Sequence, residues 1–111
     1  MINKVNLTKN STEAAQKLLQ QLSLRPNITS RNALLFSLNK KDKYNPKDKI
    51  QNNGMEIKTQ TLFGEEIDIY FMLLKEYYGD LDKYNLEKLI SFHVDEAFKN
   101  KEFINTLKNL V

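Results

Sequence analysis

The chain has 111 residues, a net charge of +3, 41% hydrophobic and 28% charged residues, and no cysteine. That composition suits one globular domain and argues against disorder. The absence of cysteine excludes a disulfide scaffold, a thiol nucleophile and any Cys-ligated metal or iron–sulfur centre.

The opening "MINKVNLTKNSTEAAQ" lacks a continuous apolar core, so no signal peptide is expected. No stretch approaches the roughly 18 apolar residues of a membrane span. The expectation is a cytoplasmic protein without a membrane partner. The first helix is predicted over "TKNSTEAAQKLLQQLS", capped by the Thr8 hydroxyl. Ala14, Ala15, Leu18, Leu19 and Leu22 fall at helical spacing and make one apolar stripe. Pro26 stops it and restricts Arg25 to extended conformations. A second helix follows with Asn27 as the expected cap and Ile28, Leu34, Leu35 and Leu38 as its apolar face. Together they form an αα-hairpin, a unit that DNA-binding helix-turn-helix folds share with many other helical domains.

Residues 39–54, "NKKDKYNPKDKIQNNG", read as a polar loop rich in lysine, with Tyr44 inside it as a candidate for stacking on a base. The "EIKTQ" that follows alternates in character and predicts a strand or extended arm. A third helix is predicted from about Glu65 to Tyr78, with Thr61 as cap and Gly64 where the chain turns from extended to helical. Its Ile67, Tyr70, Phe71, Leu74 and Tyr78 share a face that Ile69, Met72 and Leu73 widen, the pattern of a central helix or an oligomer contact. Glu65 and Glu66 suit the positive end of that helix, so capping accounts for them without catalysis. Gly79 is expected to end it as a left-handed cap. The last segment starts near Asn85 and runs to the C-terminus, with a break near Asn100. The predicted fold is all-α: a single compact domain over residues 1–111, of four to five helices with a short extended arm and a lysine-rich loop.

Catalytic constellations are missing. His93 is the lone histidine and its neighbours Ile90, Val94 and Ala97 are apolar, the setting of a packed residue rather than a base. With one histidine and no cysteine, no zinc site is expected, and Asp80 and Asp82 lack calcium-loop spacing. No catalytic residue, cofactor or metal is therefore expected. What remains is charge. Residues 1–50 hold ten Lys/Arg against three Asp/Glu; residues 51–111 hold seven against eleven. A basic half beside an acidic half fits a polyanion-binding face and a separate protein-binding face, with an ordinary solvated lysine surface as the competing explanation. Candidate phosphate contacts are Lys17, Arg25, Arg31, Lys40, Lys41, Lys43, Lys47 and Lys49, recognising duplex DNA backbone with little sequence preference.

"LRPNITSRNALLFSL" followed by "GMEIKTQTLFGEEIDIYFMLLK" resembles DndE, the small accessory family of bacterial DNA phosphorothioation systems. The "PN" joint, Arg31, Ser37–Leu38, Gly54 with Glu56 before "TL-GE", and the later His93 carry the resemblance. Departures are Leu22 and Ser23 where the family tends to have Thr-Gly, Lys58 and Thr59 for Asn-Arg, and Glu96 and Ala97 for Arg-Gly. The resemblance implies a helical homotetramer that binds DNA, nicked duplex included. It also implies partnership with a cysteine desulfurase and with iron–sulfur and ATP-using proteins that carry the sulfur chemistry. A protein–protein adaptor and a small helix-turn-helix repressor are the alternative readings of the residues alone.

Overall fold

Period-two patterning in two short segments builds the ribbon on which the candidate site rests. In the computed structural model, which describes residues 2–40, 50–80 and 82–110, strand β1 (Lys4–Asn6) pairs antiparallel with β2 (Glu56–Lys58). Val5 lies opposite Ile57 and both are buried; Lys4 opposite Lys58 and Asn6 opposite Glu56 form the other face. Leu7 and Gly54 extend the ladder: the Leu7 amide donates to the Met55 carbonyl at 2.9 Å and the Gly54 amide to the Leu7 carbonyl at 2.7 Å. The sequence reading had the second segment as a strand or extended arm and missed the first strand.

Six α-helices surround the ribbon among the described residues: α1 (Lys9–Leu22), α2 (Pro26–Asn39), α3 (Thr59–Phe63), α4 (Ile67–Tyr78), α5 (Lys83–Phe98) and α6 (Lys101–Asn109). Thr8 caps α1 as expected, its hydroxyl accepting from the Ser11 amide. The cap of α2 is corrected. Pro26 occupies the first turn, Arg25 stands at the cap in extended conformation without a side-chain cap bond, and Asn27 is already helical. Thr61 is likewise inside α3, a helix the sequence reading missed, and not a cap. Gly64 has φ 64° and ψ −144°, a region open mainly to glycine, and it joins α3 through the 3-10 turn Gly64–Glu66 to α4. Gly79 also has positive φ, but its ψ of −160° is not left-handed helical; that conformation belongs to Ser23 instead. The expected break near Asn100 is present, with the Asn100 side chain capping α6.

Helix α5 organises the interior. It makes its most extensive packing with α2, and Leu89, Ile90, Val94 and Ala97 enter the core with Leu34, Leu62, Phe63 and Leu74. Glu87, Ser91 and Asp95 recur every four residues and so share one side of α5. Ser91 donates to the Asn6 carbonyl at 2.5 Å, and Glu87 accepts from Asn52 at 2.6 Å and from the Asn6 amide at 3.4 Å. Asp95 accepts from the Thr8 hydroxyl at 2.6 Å and the Ser11 hydroxyl at 3.2 Å, fixing the start of α1. Burial pushes the Asp95 carboxyl up. Hydrogen bonds from Thr8, Lys99 and Asn10, with the Lys99 charge 2.9 Å away, outweigh that and hold it below the ordinary aspartate range. His93 is fully buried, its ring nitrogens paired with the Ser37 hydroxyl at 2.8 Å and the Tyr78 hydroxyl at 2.5 Å. It ties α2, α4 and α5 together as a packed histidine.

No helix among the described residues is long and apolar enough to cross a membrane.

Candidate nucleic-acid interface

The dipeptide Arg25–Pro26 sets the first part of the site. Proline holds Arg25 extended at φ −68° and ψ 145°, and it begins α2 with a residue that has no amide hydrogen. Arg25 lines a shallow cleft with Asn27, Met55, Lys58 and Thr61. The positive end of the α2 dipole lies in the same place. Lys58 closes β2 directly opposite Lys4. Like charges in that relation repel, and each such pair works against the ribbon by roughly 0.2–1 kcal/mol. Lys4 in turn lines a second cleft with Ile2, Asn3, Lys83, Tyr84 and Glu87.

The ribbon thus joins two clefts and carries a run of cations from Arg25 through Lys58 and Lys4 to Lys83. Two carboxylates line these clefts. Glu56 pairs with Lys4 at 3.0 Å, but both side chains are about half exposed, so the pair contributes little and can rearrange. Glu87 keeps its charge but is turned to Asn52 and the Asn6 amide, and the two lysines of the cleft outnumber it.

The sequence-predicted contacts fare differently. Arg25 lies in the run. Arg31 is half-buried and used internally: its Nε donates to the Leu62 carbonyl at 2.6 Å and an Nη to the Thr61 carbonyl at 3.4 Å. These are carbonyls at the end of α3, where positive charge is favourable. The Asn27 amide donates to the same Thr61 carbonyl at 3.3 Å, so Arg31 and Asn27 hold one wall of the Arg25 cleft. Lys17 is on the exposed side of α1. Lys40 sits at the other end of α2, roughly 20 Å from Arg25 by helical rise. It pairs with Glu102 at 3.0 Å and lies over the Phe36 ring. Lys41, Lys43, Tyr44, Lys47 and Lys49 fall outside the described residues.

Lys4, Lys58 and Lys83 escaped the sequence reading because they are far apart in the chain: strand pairing joins Lys4 to Lys58, and Lys83 reaches the cleft of Lys4 from the start of α5. Flanking an apolar residue in each of "KVN" and "EIK" by polar ones was the available signal. Among the described residues no group of His, Asp or Glu could hold a metal ion.

Comparison with known proteins agrees with the resemblance. The family model for DndE, the DNA sulphur modification protein, matches residues 4–105. The fold is similar to the crystal structure of DndE from Escherichia coli B7A, described as involved in DNA phosphorothioation modification. The two are 25% identical with a TM-score of 0.81 over 88% of this chain and 96% of that one. It is also similar to a double glycine-to-lysine mutant of DndE, at 25% identity and a TM-score of 0.77, over 89% of this chain and 96% of the other. No curated protein sequence matches.

Proposed function

Because the chain belongs to the DndE family of DNA sulphur modification proteins, we propose that it serves phosphorothioation as a non-catalytic accessory that grips the DNA backbone. The observation that carries this reading is the opposed pair Lys4 and Lys58, flanked by Arg25 and Lys83. Two lysines side by side repel, and the half-exposed Lys4–Glu56 pair offsets this only in part; a polyanion laid along the ribbon outweighs the repulsion. Helix α2 is a poor major-groove reader, since it packs along α5 and its exposed positions Asn32, Leu35 and Asn39 carry no cation. Backbone recognition without sequence preference follows, and a nicked duplex offers the same phosphates with an added site of flexibility.

The second half of the proposal concerns assembly. Ile69, Met72 and Leu73 stand exposed on α4 at spacings of three and four, beside Glu65, Glu66, Asp68 and Glu76. This face joins copies into the homotetramer that the family resemblance implies. The sulfur chemistry belongs to the desulfurase, iron–sulfur and ATP-using partners, since this chain has no cysteine to carry a persulfide.

Binding of intact and nicked duplex over a salt series tests the reading. Four phosphate contacts per chain give a slope of roughly −3.6 in log affinity against log salt, or a loss of about a hundredfold between about 50 and 200 mM. An affinity indifferent to salt overturns it.

A further inference from the structure

Tyr84 is the only aromatic ring among the described residues that stands exposed, at 69%. It lies in the first turn of α5, and the Lys88 ammonium, one turn on, is 5.2 Å from its ring centroid. Lys88 is itself held, donating to the Ile50 carbonyl and the Asn52 side-chain oxygen at 2.7 Å each. A fixed cation over the ring steadies it. The ring forms a wall of the second cleft, with buried Ile2 as apolar lining, Asn3 as a polar group, Lys4 and Lys83 as cations, and Glu87 as a carboxylate turned to Asn52 and the Asn6 amide. An aromatic wall, an apolar lining and paired ammonium groups are the parts from which single-stranded nucleic acid sites are built: a π-face for a base, charge for its phosphates.

We infer that this cleft takes an unpaired nucleotide of the bound DNA, with its base stacked on Tyr84 and its phosphates on Lys4 and Lys83. The inference rests on the DNA-backbone reading above and deepens it. The ribbon cations hold duplex, and Tyr84, at the end of the run, distinguishes DNA with an unstacked base from DNA without one. A ring already fixed by Lys88 loses little freedom on binding. The sequence offered Tyr44 for this task, which lies outside the described residues; among those described, Tyr84 stands beside lysines.

The test compares wild-type protein, Tyr84→Ala and Tyr84→Phe on two probes: intact duplex, and the same duplex with a short single-stranded gap containing a fluorescent adenine analogue. Tyr84→Ala should weaken gapped-duplex binding by about thirtyfold, the middle of the range for losing one stacked base. Analogue quenching should disappear with it, while intact-duplex affinity and thermal unfolding stay as in wild type. Tyr84→Phe should keep both binding and quenching, because the π-face remains. Equal losses on both probes, an unchanged gapped-duplex affinity, or loss of assembly in place of DNA binding each overturn the stacking site. If wild type binds intact duplex with the expected salt dependence while Tyr84→Ala changes nothing, stacking alone fails. If wild type binds neither probe, the backbone reading fails and takes this inference with it.

Discussion

The β ribbon and helix α4 both present surface that stability alone would not select, in opposite ways. The ribbon sets Lys4 beside Lys58, where opposite charges would be favoured. Helix α4 leaves Ile69, Met72 and Leu73 in water, at 56%, 68% and 47% exposure, where polar residues would do. Unfavourable charge is relieved by a polyanion and unfavourable apolar surface by another protein, so the two faces point to two kinds of partner. The difference also refines the charge asymmetry of the sequence. Carboxylates do gather at α4 and the turn before it, as Glu65, Glu66, Asp68 and Glu76, yet the run of cations draws Lys58 and Lys83 from the acidic half of the chain.

Changes beneath the two faces should have the largest effects, because they disturb how each face is seated. A side chain at Gly54 would meet Thr12 Oγ1 at 2.2 Å and the Thr8 carbonyl oxygen at 2.5 Å, so Gly54→Ala forces the loop off α1. A cost of about 3 kcal/mol is expected in chemical denaturation, with the ribbon unseated. Asp95→Asn should cost about 2 kcal/mol by weakening the hydrogen bonds that start α1. The lowered Asp95 carboxyl gives that effect a sign in pH. Its stabilisation is complete above the ordinary aspartate range and is lost as pH falls through the lower folded value. The gap between wild type and Asp95→Asn should therefore begin to close as pH falls below about 4 and vanish only below the lowered folded value; a gap that persists below that value would assign the loss to something other than the carboxylate. On the other side, Gly64→Val should cost about 1–2 kcal/mol through the positive φ that a β-branched residue resists, since the nearest atom to a new Cβ is Arg31 Nη at an ordinary 3.5 Å. Unchanged thermal stability would show that Gly64 is not conformationally required. Met72→Glu should leave the fold alone, because the side chain is exposed, and reduce the assembled species in native mass measurement to monomer. Retained assembly would remove α4 as the contact.

Local signals were legible in the sequence and pairings across the chain were not. Thr8 before an apolar stripe announced α1, and Asn100 announced the break before α6, because a cap and the turn it serves are neighbours. Helix α3 was hidden because "TQTLF" is only one turn long and half made of β-formers and small polar residues, so no period can develop. Strand β1 was hidden for the same reason, and its partner lies about fifty residues away. Arg31 shows the matching limit for the site. Its charge suggested phosphate, but the Thr61 and Leu62 carbonyls that engage it are fixed by the packing of α2 on α3. Arg25 was found because the proline beside it already dictated its backbone.

Lys58→Glu is the most direct test, since it separates what the ribbon needs from what the DNA needs. Replacing one of two opposed lysines places opposite charges across the ribbon and a carboxylate at the start of α3, so stability should rise by about 0.5 kcal/mol. Duplex affinity should fall in the same protein, with the salt slope reduced by about one. A variant that is more stable and binds DNA as tightly as wild type, with the slope unchanged, would contradict the claim that these lysines are set side by side for phosphate.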